Sequence, residues 1–245
     1  MTTEIYDPLD HAFLTNELDQ PVGAPLPGWS ARPRPPRSPM QGRFCRVEPL
    51  DPARHAEELF AANRLDAEGR NWTYLGYGPF DDIDAYLAWM EKTCLSDDPL
   101  FHAIVEEKSG KAVGVASYMR LDPAGGVIEV GHINFSPALQ RKPAATEAIY
   151  LMMARAFDEL GYRRFEWKCN ALNAASRRAA LRYGFTFEGI FRQAMVTKGR
   201  NRDTAWFSLL DSEWPSAKAA FQAWLDPANF DGEEQQKRTL GDFRE

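Results

Sequence analysis

The sequence predicts an α/β protein with a central mixed, mostly antiparallel sheet flanked by helices. A meander of strands is predicted up to residue 126, and residues 127–169 then show the pattern strand, helix, strand. Strands joined by a crossover helix are parallel, whereas meander and hairpin strands are antiparallel, so both kinds of pairing are expected. Hydrophobic residues make up 44% and charged residues 26%, which is ordinary soluble composition, and 245 residues are enough for one large domain or two small ones.

The two ends of the chain differ in composition from its middle. Residues 1–41 carry many of the prolines and are predicted to form an extended Pro-rich N-terminal arm. This arm could dock a partner; the alternative, which we favour, is an arm that packs along its own domain. The domain is predicted over residues 42–225, and the polar residues 226–245 are predicted to be a loose tail.

Periodicity and capping residues predict the elements that precede the strand–helix–strand unit. Alternation from Arg43 predicts a first strand, and Asp81 or Asp82 can cap a helix that ends near Thr93. The same patterns predict a helix over 52–63 and strands over 101–106 and 112–121.

The helix of the strand–helix–strand unit begins directly after a basic loop, Gln140-Arg141-Lys142. Pro143 suits the first turn of a helix, and Gly161 suits the position just past its end. Unpaired amide groups and the positive end of the helix dipole would then lie beside two cations, which is an arrangement that binds phosphate. Similar junctions occur in proteins that bind nothing there, so the loop alone does not establish a site.

The residues after this helix extend the pattern. Arg164 to Cys169 alternates as a strand, Asn173-x-x-Ser176 follows, and a short helix ends at Tyr183 before Gly184-Phe185. A hairpin over 190–198 and 204–210 and a helix from about residue 215 complete the prediction.

The order strand, basic loop, helix, strand, Asn-x-x-Ser, helix, Gly-Phe resembles the GNAT N-acyltransferases, in particular the RimJ/RimL-like branch that acetylates ribosomal-protein N-termini. The resemblance covers about residues 42–225. It implies the GNAT fold in a single domain and acetyl-coenzyme A as co-substrate, with no metal. The implied reaction moves acetyl to a primary amine, on a protein N-terminus or a small molecule, by direct attack on the thioester.

The family's cofactor loop has the pattern Gln/Arg-x-x-Gly-x-Gly/Ala. Gln140 and Ala145 match it, but Pro143 replaces the first glycine, so one backbone contact expected by analogy must be missing or replaced. The resemblance implies that these residues bind the cofactor: Asn134, Phe135, Gln140, Arg141, Lys142, Ala144, Ala145, Thr146, Asn173 and Ser176.

Acetyl transfer needs a neutral amine, a polarised thioester carbonyl and a proton for the departing thiolate. Glu129 lies eleven positions before Gln140, the spacing at which the superfamily's histone acetyltransferases carry their glutamate base, and is the predicted base. The alternative is that Glu129 pairs with an arginine or caps a sheet position. His132, on the opposite face if the strand is regular, is a competing assignment. Ala180 replaces the tyrosine acid of many members, and Ser176 matches the donor of the Rim-like branch.

The acceptor side is predicted from residues 71–80, NWTYLGYGPF. The rings of Trp72, Tyr74 and Tyr77 could line an acceptor pocket or pin the loop to the core. His132 and Asp203 are further predicted substrate contacts. The Rim-like branch often has a carboxylate where this chain has Met195, which argues against a simple transfer of ribosomal N-terminal activity. The arginines nearby in the sequence, Arg192, Arg200 and Arg202, look like solvated charge.

Bulk properties disfavour several classes of partner. A net charge of −6 without a long basic stripe argues against nucleic acid, and no apolar run approaches a membrane span. Three cysteines without C-x-x-C spacing suggest neither disulfides nor zinc, so a reducing cytoplasm is expected. A homodimer stays open. Two alternatives to the transferase remain: a non-catalytic acyl-coenzyme A sensor, in which Pro143 and Ala180 mark lost chemistry, and an acyl-coenzyme A hydrolase.

Overall fold

The computed structural model of the chain describes residues 13–233 and 235–244. Contacts divide the chain at residue 31 into a small and a large unit. The described part of the small unit contains an antiparallel hairpin of β1 (Phe13–Thr15) and β2 (Pro21–Gly23). Residues 1–12 of the predicted arm lie outside the described residues.

The large unit, residues 32–245, contains an eight-stranded sheet. Its strands are β3 (Met40–Gln41), β4 (Cys45–Pro49), β5 (Leu100–Glu106), β6 (Ala112–Asp122), β7 (Val127–Phe135), β8 (Arg164–Asn170), β9 (Thr186–Thr197) and β10 (Arg200–Leu210). The strand order is β3-β4-β5-β6-β7-β8-β10-β9. Only β7 and β8 pair in parallel, and every other neighbouring pair is antiparallel. The predicted mixed, mostly antiparallel sheet is therefore confirmed.

Helices cover both faces of this sheet. They are α1 (Pro52–Asn63), α2 (Ile83–Thr93), α3 (Pro143–Ala154), α4 (Ala174–Tyr183) and α5 (Trp214–Leu225). One buried cluster joins α1 and α2 to one face of the sheet, and a second cluster joins α3, α4 and α5 to the other. Neighbouring residues of β5 belong to different clusters, Ala103 to the first and Ile104 to the second, as alternation along a strand requires.

The helix ends follow from the local sequence. Asp82 caps α2 by accepting from the amide of Ala85, and Asn173 caps α4 by accepting from the amide of Ser176. Pro143 stands at the start of α3, which continues as a turn of π-helix over Arg155–Glu159. Gly161, just beyond, has a φ of 69°, a conformation that glycine adopts without steric cost. The predictions for Asp82, Pro143 and Gly161 are confirmed.

The parallel strands β7 and β8 separate part-way along their length. Their pairing runs from Val127 opposite Arg164 only as far as Val130 opposite Trp167. A β-bulge in β7 lies just beyond, where the register against β6 shifts and His132 has a φ of 50°. Neither His132 nor Ile133 has a ladder partner in the two neighbouring strands. Because β7 is not regular here, the condition that placed His132 on the face opposite Glu129 is not met.

The expectation of a loose C-terminal tail is wrong. Leu240 is fully buried, and Trp224 of α5 donates its indole hydrogen to Gln236 across 2.8 Å. Asn229 is also buried, where its side-chain amide donates to the carbonyl of Trp224. The segment is polar on average, but a few apolar residues at separate positions are enough to attach it to the core.

The part of the N-terminal arm that belongs to the large unit packs along the domain, as the favoured alternative predicts. The Tyr162 hydroxyl donates to the carbonyl of Pro33, and the Arg155 guanidinium donates to the carbonyls of Ser38 and Pro39. An extended proline-rich segment leaves its carbonyls free, so such donors can satisfy them.

Candidate active site

A cavity of about 300 Å³ lies where β7 and β8 separate. Its lining comes from both strands, from the first turn of α4, from the loop 71–80 and from the ends of β6, β9 and β10. Six of the predicted site residues line it: Tyr74, Tyr77, Glu129, His132, Asn173 and Ser176. Residues more than 100 positions apart in the chain therefore meet at one point.

Ser176 is held by hydrogen bonds. Its amide donates to the side chain of Asn173, and its Oγ accepts from Nε1 of Trp167 at 2.9 Å. Because an indole nitrogen can only donate, the hydroxyl hydrogen of Ser176 is not directed at Trp167. The Ser176 side chain also forms a hydrogen bond with the Cys169 thiol, which lines the same cavity.

Glu129 is buried and engaged by two cations. Nη1 of Arg120 lies 2.7 and 2.8 Å from its two oxygens, and Nζ of Lys168 lies 2.9 Å from Oε2. This is the ion-paired arrangement given above as the alternative to a base. Its assignment as the base stays a prediction, and both carboxylate oxygens already contact a cation in this structure.

His132 lies among aromatic rings in the same cavity. Its Nδ1 is 3.3 Å from the hydroxyl of Tyr77, and its ring packs against those of Tyr77 and Phe101. Burial, with smaller contributions from Arg120 and Arg202, lowers the pKa of His132 to about 4, so the imidazole is neutral at pH 7. Burial raises the pKa of Tyr77, which therefore stays protonated.

The three aromatics of the loop 71–80 have different surroundings. Tyr74 and Tyr77 line the cavity, and the Tyr74 hydroxyl donates to the carbonyl of Leu172. Trp72 does not line it: the indole is buried and packs edge-on against Phe80, so of the two readings it fits the core residue. Asp203 also lies outside the cavity, where its carboxylate accepts from the amide of Gln193 and from the Asn201 side chain.

Among the cavity residues that escaped prediction are three cations: Arg120, Lys168 and Arg202. A signal existed for Lys168, because Arg164, Glu166 and Lys168 alternate along a strand of a sheet that was expected to be flanked by helices, where unpaired charge is costly. No signal separated Arg202 from Arg192 and Arg200. The interpretation of Arg202 as solvated charge is wrong, since its side chain lines the cavity.

A second, basic cleft of about 540 Å³ lies at the N-terminus of α3. The predicted cofactor residues Arg141, Lys142, Ala145 and Thr146 line it. The cleft is also lined by residues that were not predicted, namely Arg178 and Arg182 from α4 and Trp224, Phe230, Gln235 and Gln236 from α5 and the C-terminal segment. Four cationic side chains therefore surround one opening.

The four cations differ in their existing partners. Nζ of Lys142 lies 2.8 Å from Glu106, and Nη1 of Arg182 donates to the hydroxyl of Thr146. Arg141 and Arg178 have no ion-pair partner in the described part of the chain. These two are the cations best able to receive an anion.

The other predicted cofactor residues support the loop from outside the two cavities. Gln140 donates to the carbonyl of Phe135 at 2.8 Å and to the side chain of Asn71 at 2.9 Å. Asn134 is buried and donates to Asn63, and Ala144 is buried at the start of α3. Gln140 thus ties the basic loop to the end of β7.

The model of the acetyltransferase (GNAT) domain family matches residues 46–186, more than half of the chain. The chain belongs to the GNAT acetyltransferase family. This confirms the resemblance and the GNAT fold. It also places the GNAT protein among the acyltransferases, and acetyl-coenzyme A is the co-substrate of that family.

Several solved structures resemble this GNAT protein. A GCN5-related N-acetyltransferase from Brucella melitensis is 53% identical with a TM-score of 0.88, over 89% of this chain and 99% of that chain. An acetyltransferase described as probable, from Chromobacterium violaceum, is 45% identical with a TM-score of 0.74, over 80% of this chain and 98% of that chain.

A curated relative carries a more specific name. The "Putative ribosomal N-acetyltransferase YdaF" of Bacillus subtilis is 29% identical over 109 residues, which are 44% of this chain and 59% of that protein. The GNAT protein therefore spans less than two thirds of that relative in the aligned region.

The residues of this GNAT protein fit acetyl-coenzyme A. The basic cleft offers Arg141, Arg178 and the start of α3 to phosphates, and the separated strands leave backbone groups of His132 and Ile133 without ladder partners. Across the described residues no helix is long and apolar enough to span a membrane, and they contain no cluster of three metal-ligating side chains.

Proposed function

We propose that the protein transfers the acetyl group of acetyl-coenzyme A to a primary amine. The observation that carries this proposal is that α4 borders both openings. Asn173 and Ser176 line the cavity, while Arg178 and Arg182 line the basic cleft. One ligand with phosphates at one end and a reactive group at the other could therefore occupy both.

The phosphate end belongs in the basic cleft. The pyrophosphate would accept from amides at the start of α3 and from Arg141 and Arg178, which lack carboxylate partners. Pro143 offers no amide there, so the cationic side chains of α4 compensate for the missing backbone contact. When bound, acetyl-coenzyme A supplies an activated acyl group and a thiolate leaving group.

The cavity's charge favours a neutral amine. Arg120, Lys168 and Arg202 line it against the single carboxylate of Glu129. Neighbouring positive charges lower the pKa of a bound amine, which increases the fraction able to act as a nucleophile. A general base then has to deprotonate a smaller fraction of the bound amine.

Two groups remain candidates to take the amine's proton. Glu129 is the predicted base but holds Arg120 and Lys168, whereas His132 is neutral and faces the cavity. The variants Glu129→Gln and His132→Asn distinguish the two candidates. The variant that removes the base should flatten the pH dependence of kcat/KM. A variant that removes only a structural contact should lower thermal stability and leave that pH dependence unchanged.

Two hydrogen-bond donors complete the chemistry. The amides at the β7 bulge have no ladder partner and can polarise the thioester carbonyl. Ser176, oriented by Trp167, can donate its hydroxyl hydrogen to the departing thiolate. The roles of Ser176 and Asn173 predicted from the sequence are thus supported by geometry.

The finer assignments belong to this proposal. The acceptor is a small-molecule or peptide amine; the relative named a ribosomal N-acetyltransferase makes a protein N-terminus one candidate. We propose a cytoplasmic enzyme without a nucleic-acid or membrane partner, and a homodimer stays a prediction.

The test begins with calorimetric titration of acetyl-coenzyme A, followed by thiol release with a panel of amino acids, polyamines, aminoglycosides and short peptides. We expect binding and amine-dependent release, with release reduced in Ser176→Ala while binding is kept. Binding without release would favour the sensor, and release without any amine would favour the hydrolase. Failure to bind would refute the proposal.

A further inference from the structure

The charged groups around the cavity form a balanced chain with one cation left over. Carboxylates and cations alternate through ion pairs in the order Arg120, Glu129, Lys168, Glu166, Arg164, Glu188. Three positive charges thus meet three negative ones. Arg202 lines the same cavity and takes no part in this chain.

Arg202 is partly buried without a counter-charge. Its Nε is buried with no hydrogen-bond partner, and its guanidinium has no ion pair among the residues that the structure describes. Asp203, the next residue, is turned to the amide of Gln193 and the side chain of Asn201 instead. Burial lowers the pKa of Arg202 and the positive charge of Arg120 adds to that effect, while Cys169 and the carboxylate of Glu129, which forms no ion pair with Arg202, oppose it.

A guanidinium that loses water without gaining a carboxylate costs stability. An anion in the cavity would offset this cost, because guanidinium binds carboxylate and phosphate through paired, charge-assisted hydrogen bonds. The cavity lining contains one carboxylate that could pair with Arg202, that of Glu129, and it is already paired with two cations, Arg120 and Lys168. The ligand itself therefore has to supply the negative charge.

We propose that the acceptor is an amino-acid-like amine whose oxyanion, a carboxylate or a phosphonate, binds Arg202. This inference rests on the proposed transferase function and names its substrate class. The amine of such a molecule lies a few bonds from its oxyanion, so both fit a cavity of about 300 Å³. Polyamines and aminoglycosides would bring more positive charge beside Arg120 and Arg202, and are expected to be poor acceptors.

The experiment compares amines that differ only in the anion. Each amino acid that releases thiol is assayed beside its amide, its decarboxylated amine and its aminophosphonic acid. The amide and the decarboxylated amine lack the negative charge, and the phosphonic acid keeps it. Comparing the four compounds therefore separates recognition of a carboxylate from recognition of a phosphonate. Arg202→Met and Arg202→Lys are compared with Arg200→Met, an exposed arginine two positions earlier on β10 that lines neither opening.

We expect the wild type to prefer the acid over its amide by about tenfold or more in kcat/KM, the size of one charge-assisted hydrogen bond. Arg202→Met should abolish that preference mainly through KM, Arg202→Lys should keep part of it, and Arg200→Met should keep all of it. An unchanged preference in Arg202→Met would overturn the inference, as would a wild type that favours amides or polyamines.

A second readout does not depend on turnover. Amino acids are titrated calorimetrically into the complex of the protein with coenzyme A, in wild type and in Arg202→Met, with circular dichroism as the check of folding. Weakening by about tenfold in Arg202→Met supports the inference, and absence of amino-acid binding to the wild type overturns it. Two other outcomes would instead refute the proposed transferase function: no binding of acetyl-coenzyme A, or binding without thiol release in the presence of any amine.

Discussion

Lys168 holds together two buried carboxylates, and its removal should destabilise the protein strongly. Its Nζ lies 2.9 Å from Glu129 and 2.7 Å from Glu166, with side chains only 7%, 3% and 8% exposed. It also lies 3.7 Å from the centre of the Trp206 ring. Lys168→Met keeps most of the side-chain volume but leaves both carboxylates with one cation fewer.

The expected loss follows from burial. Removing one partner of a buried ion pair costs about 3–5 kcal/mol, and the lower end applies because Arg120 and Arg164 remain as partners. For a domain of this size, a loss of about 3 kcal/mol lowers Tm by roughly 6–12 °C. The assay is urea unfolding and a thermal melt without ligands.

The chain offers a matched control. Lys218 pairs with Asp158 at 2.9 Å, but both side chains are about one-third exposed. Lys218→Met should cost less than about 1 kcal/mol, as exposed pairs usually do. If Lys168→Met loses no more stability than Lys218→Met, the reasoning about the buried charge chain is wrong.

Three further predictions test other contacts. Trp167→Phe removes the hydrogen-bond donor to Ser176 and should lower kcat about tenfold with little change in the affinity for acetyl-coenzyme A. Equal losses in kcat and in that affinity would contradict the proposal that Trp167 orients Ser176. Burial lowers the pKa of His102 to about 3, so its unfolded form binds a proton that the folded form does not, and stability falls as pH drops from about 6.5 towards 3. Between pH 7 and pH 5, protonation of His102 in the unfolded chain should lower the free energy of unfolding by about 2 kcal/mol. Urea unfolding of His102→Phe should not show this loss. If the stabilities of wild type and His102→Phe fall in parallel over this pH range, the prediction is wrong. Leu240→Ala should cost about 2–5 kcal/mol, and a melt like that of the wild type would mean that the C-terminal segment is not packed.

Most of the fold could be predicted because its signals are local. Asp82, Pro143 and Gly161 mark helix ends through their own hydrogen bonds and backbone preferences, and these operate within a few residues. The C-terminal segment could not be predicted in the same way. Its attachment depends on single buried residues such as Leu240, whose segment packs on other elements, α5 and α4, rather than on its own neighbours in the chain.

The candidate site shows the same division. Glu129, Asn173 and Ser176 were found because they stand at set spacings on predicted elements, and the structure brings them to one cavity. Whether Glu129 is a base depends on Arg120, which follows the register partner Met119 at a shift in β6 and reaches the carboxylate with its guanidinium. Arg202 adds a cation without an ion pair to the cavity, and no one-dimensional pattern distinguishes a buried arginine from an exposed one.

The composition of the basic cleft also has a consequence for the order of events during synthesis. Phe230, Gln235 and Gln236 form part of its lining, and they leave the ribosome after every other residue that borders it. Domains acquire structure as the chain emerges, so the sheet and α3 can form while this side is still missing. A nascent or C-terminally clipped chain would thus hold a nearly complete sheet and an incomplete cleft.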